Sequence, residues 1–207
     1  MTLLIPGRLI YLPHPRTGST ATEKALLAAF PGSAVGTVNQ WNGPGRIHHG
    51  HAAAFAGHPA RTGEEAVVST VANPFDLVAS WYRRTAFDAA GRRLEVGLGR
   101  PYLDVVDFVD RYGTEGSWFV NPADGRLFSW FLPESTVPPI RKESIEEDLE
   151  RILGVRIRVG RENETAGKPP WRSYYDRKAV SWMLARFPEI GELGYGFDGS
   201  PLAPVLE

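Results

Sequence analysis

Twice in this chain a short β-prone run ends in a turn and a helix starts at once. Arg8–Leu12 stops at Pro13 and passes through HPRTGST into Ser19–Phe30, where Ala21, Ala25, Leu26, Ala29 and Phe30 fall at helical spacing until Pro31-Gly32. Ala66–Val71 runs through Ala72 into Asn73-Pro74, a preferred N-cap followed by a preferred first helical residue. Asp76, Leu77, Val78, Trp81 and Tyr82 carry that helix to about Phe87. Strands that feed helices directly predict an α/β fold, here three-layered with a central parallel sheet flanked by helices. Such sheets bind ligands where strand ends enter helices, which singles out Pro13–Thr20 and Val71–Pro74.

The remaining elements fit the same class. The opening MTLLIPGRLIYLPHP reads as a first strand, broken at Pro6 and Gly7, and Pro31–Gly63 as loop with short structured pieces. Asp104–Tyr112 is an amphipathic helix ended by Gly113, and Val137–Arg141 a short strand. Ser144–Leu153 is a helix in which Ser144 and Glu147 have capping-box spacing and Gly154 follows the last turn. Asp176–Phe187 is a last helix, with Ala179, Val180, Met183, Leu184 and Phe187 as its apolar face. No repeat or low-complexity linker interrupts the 207 residues, so one domain, 1–207, is expected.

Composition narrows the chemistry. The 23 Lys+Arg against 24 Asp+Glu give a net charge of -1, which disfavours a dedicated nucleic-acid binder but permits a local basic pocket. With no cysteine, disulfides, thiolate metal sites and Cys nucleophiles are excluded. No apolar run reaches the roughly 18 residues of a membrane-spanning helix. The first residues lack the basic segment of a signal peptide, so a cytoplasmic protein without membrane association is expected.

HPRTGST has the parts of an anion cradle. Gly18 allows a tight turn, and the amides of Gly18, Ser19 and Thr20 would converge at the positive end of a helix dipole. Two hydroxyls and the forked cation of Arg16 add donors. G-x-x-x-x-G-K-[ST] is absent, which counts against an ATPase or kinase. A plain Gly-Ser-Thr turn before a capped helix is the other reading.

Taken together, PRTGST and STVANPFDLVASWYRR resemble the donor motifs of sulfotransferases that use PAPS (3′-phosphoadenylyl sulfate). Pro15, Arg16, Gly18, Ser19 and Thr20 match the family's P-[KR]-x-G-[ST]-[ST], which holds the 5′ phosphosulfate. Asn73, Pro74, Ser80 and Tyr82 match its R-N-P-x-x-x-x-x-S-x-Y, which holds the 3′-phosphate. The family's arginine is replaced by Ala72, which weakens donor binding, moves the role to Arg83 or Arg84, or signals a different donor. RKESIEEDLERILG is similar to the family's acidic helix. The stretch from RENETAGKPPWRSYY to GELGYGF is similar to its C-terminal segment, making Lys168 and Arg172 candidate phosphate contacts or else solvated surface cations. The resemblance implies a P-loop-like sulfotransferase fold and no metal requirement. On it, Arg16, Thr17, Gly18, Ser19, Thr20, Asn73, Ser80, Arg83, Arg84, Lys168 and Arg172 bind PAPS and its product PAP.

HHGHAAAF is similar to the H-G-H segment of uronyl and heparan-sulfate 2-O-sulfotransferases, which implies His51 as base and His49 as its helper. Histidine titrates near neutral pH and suits removal of a hydroxyl proton. Other readings remain: a metal site from His48, His49 and His51, a merely polar loop, or an acidic base such as Asp88 or Glu95. Among six tryptophans, Trp81 and Trp182 read as core, Trp171 as the adenine-side candidate and Trp41 as substrate-facing. Asp88–Arg100, with three arginines, reads as a mobile surface loop or a receiver of an anionic substrate.

The expected activity is transfer of a sulfuryl group from PAPS to a hydroxyl of a carbohydrate or small molecule, with His51, His49 and Arg16 at the reacting centre. The alternatives are a non-catalytic sulfotransferase-like nucleotide-binding module and a kinase-like phosphate-binding enzyme.

Overall fold

The computed structural model describes residues 2–36, 51–88, 91, 92, 94, 101–113, 120, 121, 123–160 and 169–197. Five strands and six helices lie among them, in the order β1 (Leu3–Ile5), β2 (Leu9–Leu12), α1 (Ser19–Ala29), β3 (Ala34–Val35), β4 (Ala66–Val71), α2 (Pro74–Ala86), α3 (Val105–Tyr112), β5 (Ile140–Arg141), α4 (Ile145–Leu153), α5 (Arg177–Arg186) and α6 (Glu189–Glu192). The chain divides into two compact units, each assembled from two stretches: Met1–Ala72 with Trp130–Glu164, and Asn73–Ser129 with Thr165–Glu207.

The first unit holds the whole sheet, ordered β3-β1-β2-β4-β5. It is α/β, but the sheet is mixed rather than parallel throughout. β2, β4 and β5 run parallel, while β1 is antiparallel to both β2 and β3. The cause is local. Pro6–Arg8 turns the chain back on itself, with Gly7 left-handed at φ 66° and Arg8 N–H donating to Ile5 C=O at 3.0 Å. The opening segment is therefore a hairpin of two strands.

All four residues of β2 are buried, as a central strand covered on both faces requires. The two-residue period sorts the core. Leu9 and Tyr11 pack with Leu3, Ile5 and Val68 against Leu26 of α1 and Leu149 and Leu153 of α4. Ile10 and Leu12 pack on the opposite face with Leu4, Val67, Phe55 and Phe131. Burying each such side chain contributes about 1.5–3 kcal/mol, so β2 anchors the unit on which the loop after it is built.

α4 starts differently from the capping-box expectation. The Ser144 side chain makes no cap bond; its hydroxyl donates to Asp148 Oδ2 at 3.0 Å, and the same oxygen accepts from Arg141 N at 2.8 Å. Asp148, one turn in, ties the helix to the end of β5. Gly154 closes the helix in the left-handed conformation, as its position implies.

The second unit is helical. Asn73 caps α2 by accepting from Phe75 N at 3.0 Å, with Pro74 at the first position. Asp104 caps α3 through Val106 N and Asp107 N, and Asp176 caps α5 through Ala179 N. Phe75 centres an aromatic cluster with Trp171, Tyr175 and Phe197, and the Tyr175 hydroxyl donates to the Phe75 carbonyl at 2.8 Å. Met183 and Phe187 of the α5 segment are buried, whereas Leu184 is 48% exposed and lies off the apolar face assigned to it.

Candidate functional site

The loop from Pro13 to Gly18 leaves the carboxyl end of β2 beside that of β4. A polar ring inside it fixes its shape. His14 N–H donates to Thr70 Oγ1 at 2.9 Å, and Thr17 Oγ1 donates to the His14 carbonyl at 2.6 Å. With its single proton so used, Thr17 must accept from Thr70 across their 2.5 Å separation. All three residues are fully buried. Thr17 therefore spends its hydroxyl on the loop itself, and only its backbone remains for a ligand. Burial also pushes the nearby Tyr11 hydroxyl up, with Thr22 and Thr70 opposing, so that phenol stays protonated.

Above this ring the backbone is left-handed at two places, Arg16 (φ 68°) and Gly18 (φ 79°). For Arg16, a residue with a Cβ, this costs on the order of 1–2 kcal/mol. Such strain persists only where surrounding contacts impose it, and it concentrates at ligand-binding turns. Gly18 is the N-cap of α1, and no described side chain caps that helix. The first four amides of a helix have no partner inside it, so Gly18, Ser19 and Thr20 can offer theirs to an anion. Arg16 is half-buried, Ser19 buried and Thr20 exposed.

Gly18 is also packed against its surroundings. A Cβ there would stand 3.0 Å from Ile145 Cδ1 and 3.8 Å from Lys142 Cγ. Gly18→Ala should therefore lower stability by about 1–2 kcal/mol through its left-handed backbone alone, read as a lower urea midpoint at unchanged slope. An unchanged midpoint would show that this turn relaxes at no cost. Lys142 thus belongs to the loop's surroundings. Its position directly after a short strand gave no sequence signal.

His51 lies in the same unit. Its Nδ1 meets Glu134 Oε1, and both side chains are 30% exposed. Its ring packs on Phe131 at 5.2 Å between centroids, and His14 meets the same ring edge-on at 6.0 Å. The ring of Phe131 thus touches both His51 and His14 of the Pro13–Gly18 loop. His48 and His49 lie outside the described residues, as do Lys168, Glu95, Trp41 and Trp118. Among the described residues no cluster of three His, Asp or Glu could hold a metal.

The remaining candidates belong to the second unit. Asn73 is buried and uses both ends of its amide structurally: Oδ1 in the α2 cap, and Nδ2 donating to Gly196 C=O at 3.2 Å. Ser80, Arg83 and Arg84 are three and four residues apart on α2, which places them on one side of it. Arg84 is exposed and Ser80 and Arg83 are half-buried. Arg172 is exposed, with its guanidinium 4.4 Å over the Trp171 ring. Trp171 in turn stacks on Phe75 at 6.1 Å. Asp88 is bound by Arg92, through its amide and Nε at 2.8 and 2.7 Å. Ala72, the last residue of the Met1–Ala72 stretch of the first unit, is fully buried.

Sequence reasoning missed Glu134 and Thr70. Thr70 had a signal, since Ser69-Thr70 is a polar pair at the carboxyl end of an otherwise apolar strand. Glu134 had none, because it stands 83 residues from His51.

No protein-family model matches this chain, and neither does any curated protein or solved structure. No helix among the described residues is long and apolar enough to cross a membrane.

Proposed function

We propose that the protein is a PAPS-dependent sulfotransferase acting on a hydroxyl group of a carbohydrate or small molecule, with a P-loop-like sulfotransferase fold. One observation carries the reading: a strand-to-helix loop held left-handed at Arg16 and Gly18, and opening an uncapped helix, coincides with the residues that match the family's phosphosulfate motif. The histidine similar to the family's base lies in the same unit, one ring from that loop.

On this reading the acceptor oxygen attacks sulfur in line, and the sulfur–oxygen bond to the 5′-phosphate breaks. The acceptor proton passes to His51, and PAP leaves with the bond electrons. Arg16 and the amides of Gly18, Ser19 and Thr20 stabilise charge on the leaving phosphate, where preorganised donors act most strongly. Asn73, Ser80, Arg83, Arg84, Lys168 and Arg172 are assigned to the 3′-phosphate side by the resemblance alone. The amide of Asn73 is committed to the α2 cap and Gly196, so contact with the 3′-phosphate falls to Ser80, the arginines and Lys168. Each charge-assisted contact is worth about 1.5–3 kcal/mol, so Ala72 lowers affinity by tenfold or more unless they replace it.

Calorimetry with PAP and ATP tests the donor. Saturable PAP binding with ATP weaker is the expected result, and ATP binding without PAP binding would overturn it. Ala72 favours one other outcome, PAP binding without sulfate transfer from PAPS to any of a panel of hydroxyl acceptors, which would identify a non-catalytic nucleotide-binding module. Cytoplasmic location belongs to the same proposal.

A further inference from the structure

We propose that Glu134 is the positioning residue of His51, fixing its proton on Nδ1 so that Nε2 faces the acceptor as base. The inference rests on the reading of His51 as the base of a transfer reaction. It begins with the two oxygens of one carboxylate. Oε1 meets His51 Nδ1, and Oε2 accepts from the amide of Ala52 at 2.8 Å. An ionised carboxylate only accepts, so Nδ1 must carry the hydrogen between them. The proton-free nitrogen of a neutral ring is then Nε2, the one with room to take a proton.

The carboxylate is held as firmly as the ring. Swinging away from His51 would break its bond to the first amide of the 3-10 turn Ala52–Phe55. Its own segment is tied along β4: Ser69 N donates to Ser135 Oγ at 2.9 Å, Val67 N to Thr136 Oγ1 at 2.9 Å, and Thr136 N to Val67 C=O at 2.8 Å. Phe131, three residues earlier, is buried in the sheet's core and sets the plane against which the imidazole packs. A buried central strand thus positions, through one short segment, both the carboxylate and the wall of the histidine. A merely polar histidine in a loop would need none of this.

Long-range nitrogen–proton NMR of the full chain reads the tautomer, with His51 assigned by comparison with His51→Asn. At a pH where the ring is neutral, the wild type should show His51 protonated at Nδ1. In Glu134→Gln an amide nitrogen must face either Ala52 N–H or the imidazole, and the Nε2-protonated form should gain population. With PAPS and a hydroxyl-acceptor panel, kcat of Glu134→Gln should fall by about 10²-fold, the lower end of what a general base contributes, while PAP binding is unchanged. Protonation at Nε2 in the wild type would overturn the proposal, and needs no variant to fold. So would a Glu134→Gln protein with wild-type tautomer and kcat. Failure of PAP to bind either protein removes the sulfotransferase reading, and the wild-type tautomer still decides the role of Glu134.

Discussion

On the proposed sulfotransferase reading, His51→Ala should slow sulfuryl transfer from PAPS by about 10²–10⁴-fold, the span a well-placed general base contributes. A neutral hydroxyl is a poor nucleophile until its proton begins to leave, and on that reading the ring would accept the proton at the moment of attack. Donor affinity should barely move, because His51 holds no phosphate. Its link to the Pro13–Gly18 loop is indirect, through the rings of Phe131 and His14. PAP calorimetry should therefore show a far smaller change than turnover, on the order of 0.5 kcal/mol, the low end for residues coupled through a shared neighbour. Turnover that survives the substitution would move the base elsewhere. Asp88 is then a weak successor, since its carboxylate is occupied by Arg92. Loss of PAP binding together with turnover would mean that His51 supports the loop rather than the chemistry.

The parts of this fold that were legible in the sequence are those governed by neighbours along the chain. Asn73-Pro74, Asp104 and Asp176 start helices because a short polar side chain reaches amides two or three residues ahead, and all three sit where the sequence puts them. The apolar strand Ala66–Val71 was legible for the same reason. The direction of the sheet's edge was not. Pro6-Gly7 announces a turn, but not that β1 then pairs antiparallel with β2 on one side and with the two-residue β3 on the other. Ser144 shows the limit of a local motif: Asp148 also accepts from the end of β5 and takes the serine hydroxyl with it. The Pro13–Gly18 loop divides in the same way. Gly18 and the helix start are written locally, whereas the ring that shapes the loop closes through Thr70, 53 residues from Thr17. The Glu134 partner of His51 is likewise a product of packing, because no spacing rule links a histidine to a carboxylate in a distant short turn.

Glu65→Gln should lower stability by about 2–3 kcal/mol at neutral pH, through the loss of charge-assisted bonds to a buried carboxylate. Its Oε1 accepts from Gly7 N at 3.0 Å, Thr62 N at 2.8 Å and Thr62 Oγ1 at 3.1 Å, and Oε2 accepts from Gly63 N at 3.0 Å. One side chain thus ties the β1–β2 turn to the loop that enters β4. Burial works against its charge, but the donors of Thr62 and Gly7 outweigh it and hold its pKa down to about 2, against an ordinary 4.5. The residue itself is 9% exposed, yet residues 61–64 beside it are in solvent, so part of that interaction is screened and the lower range is appropriate. A glutamine keeps the shape but turns a donor toward donors. The apparent melting temperature should fall by about 4–12 °C for a chain of this size. The pH dependence has a definite sign. A carboxylate whose folded pKa is depressed stabilises fully above its unfolded value near 4.5, and the contribution disappears as pH falls toward 2. The difference in stability between wild type and Glu65→Gln, in which other carboxylates largely cancel, should be constant from pH 7 to about 5.5. Below 4.5 it should shrink by up to about 1.4 kcal/mol per pH unit. A difference that persists unchanged at pH 3 would mean that the bonds of Glu65 depend on its shape and not its charge.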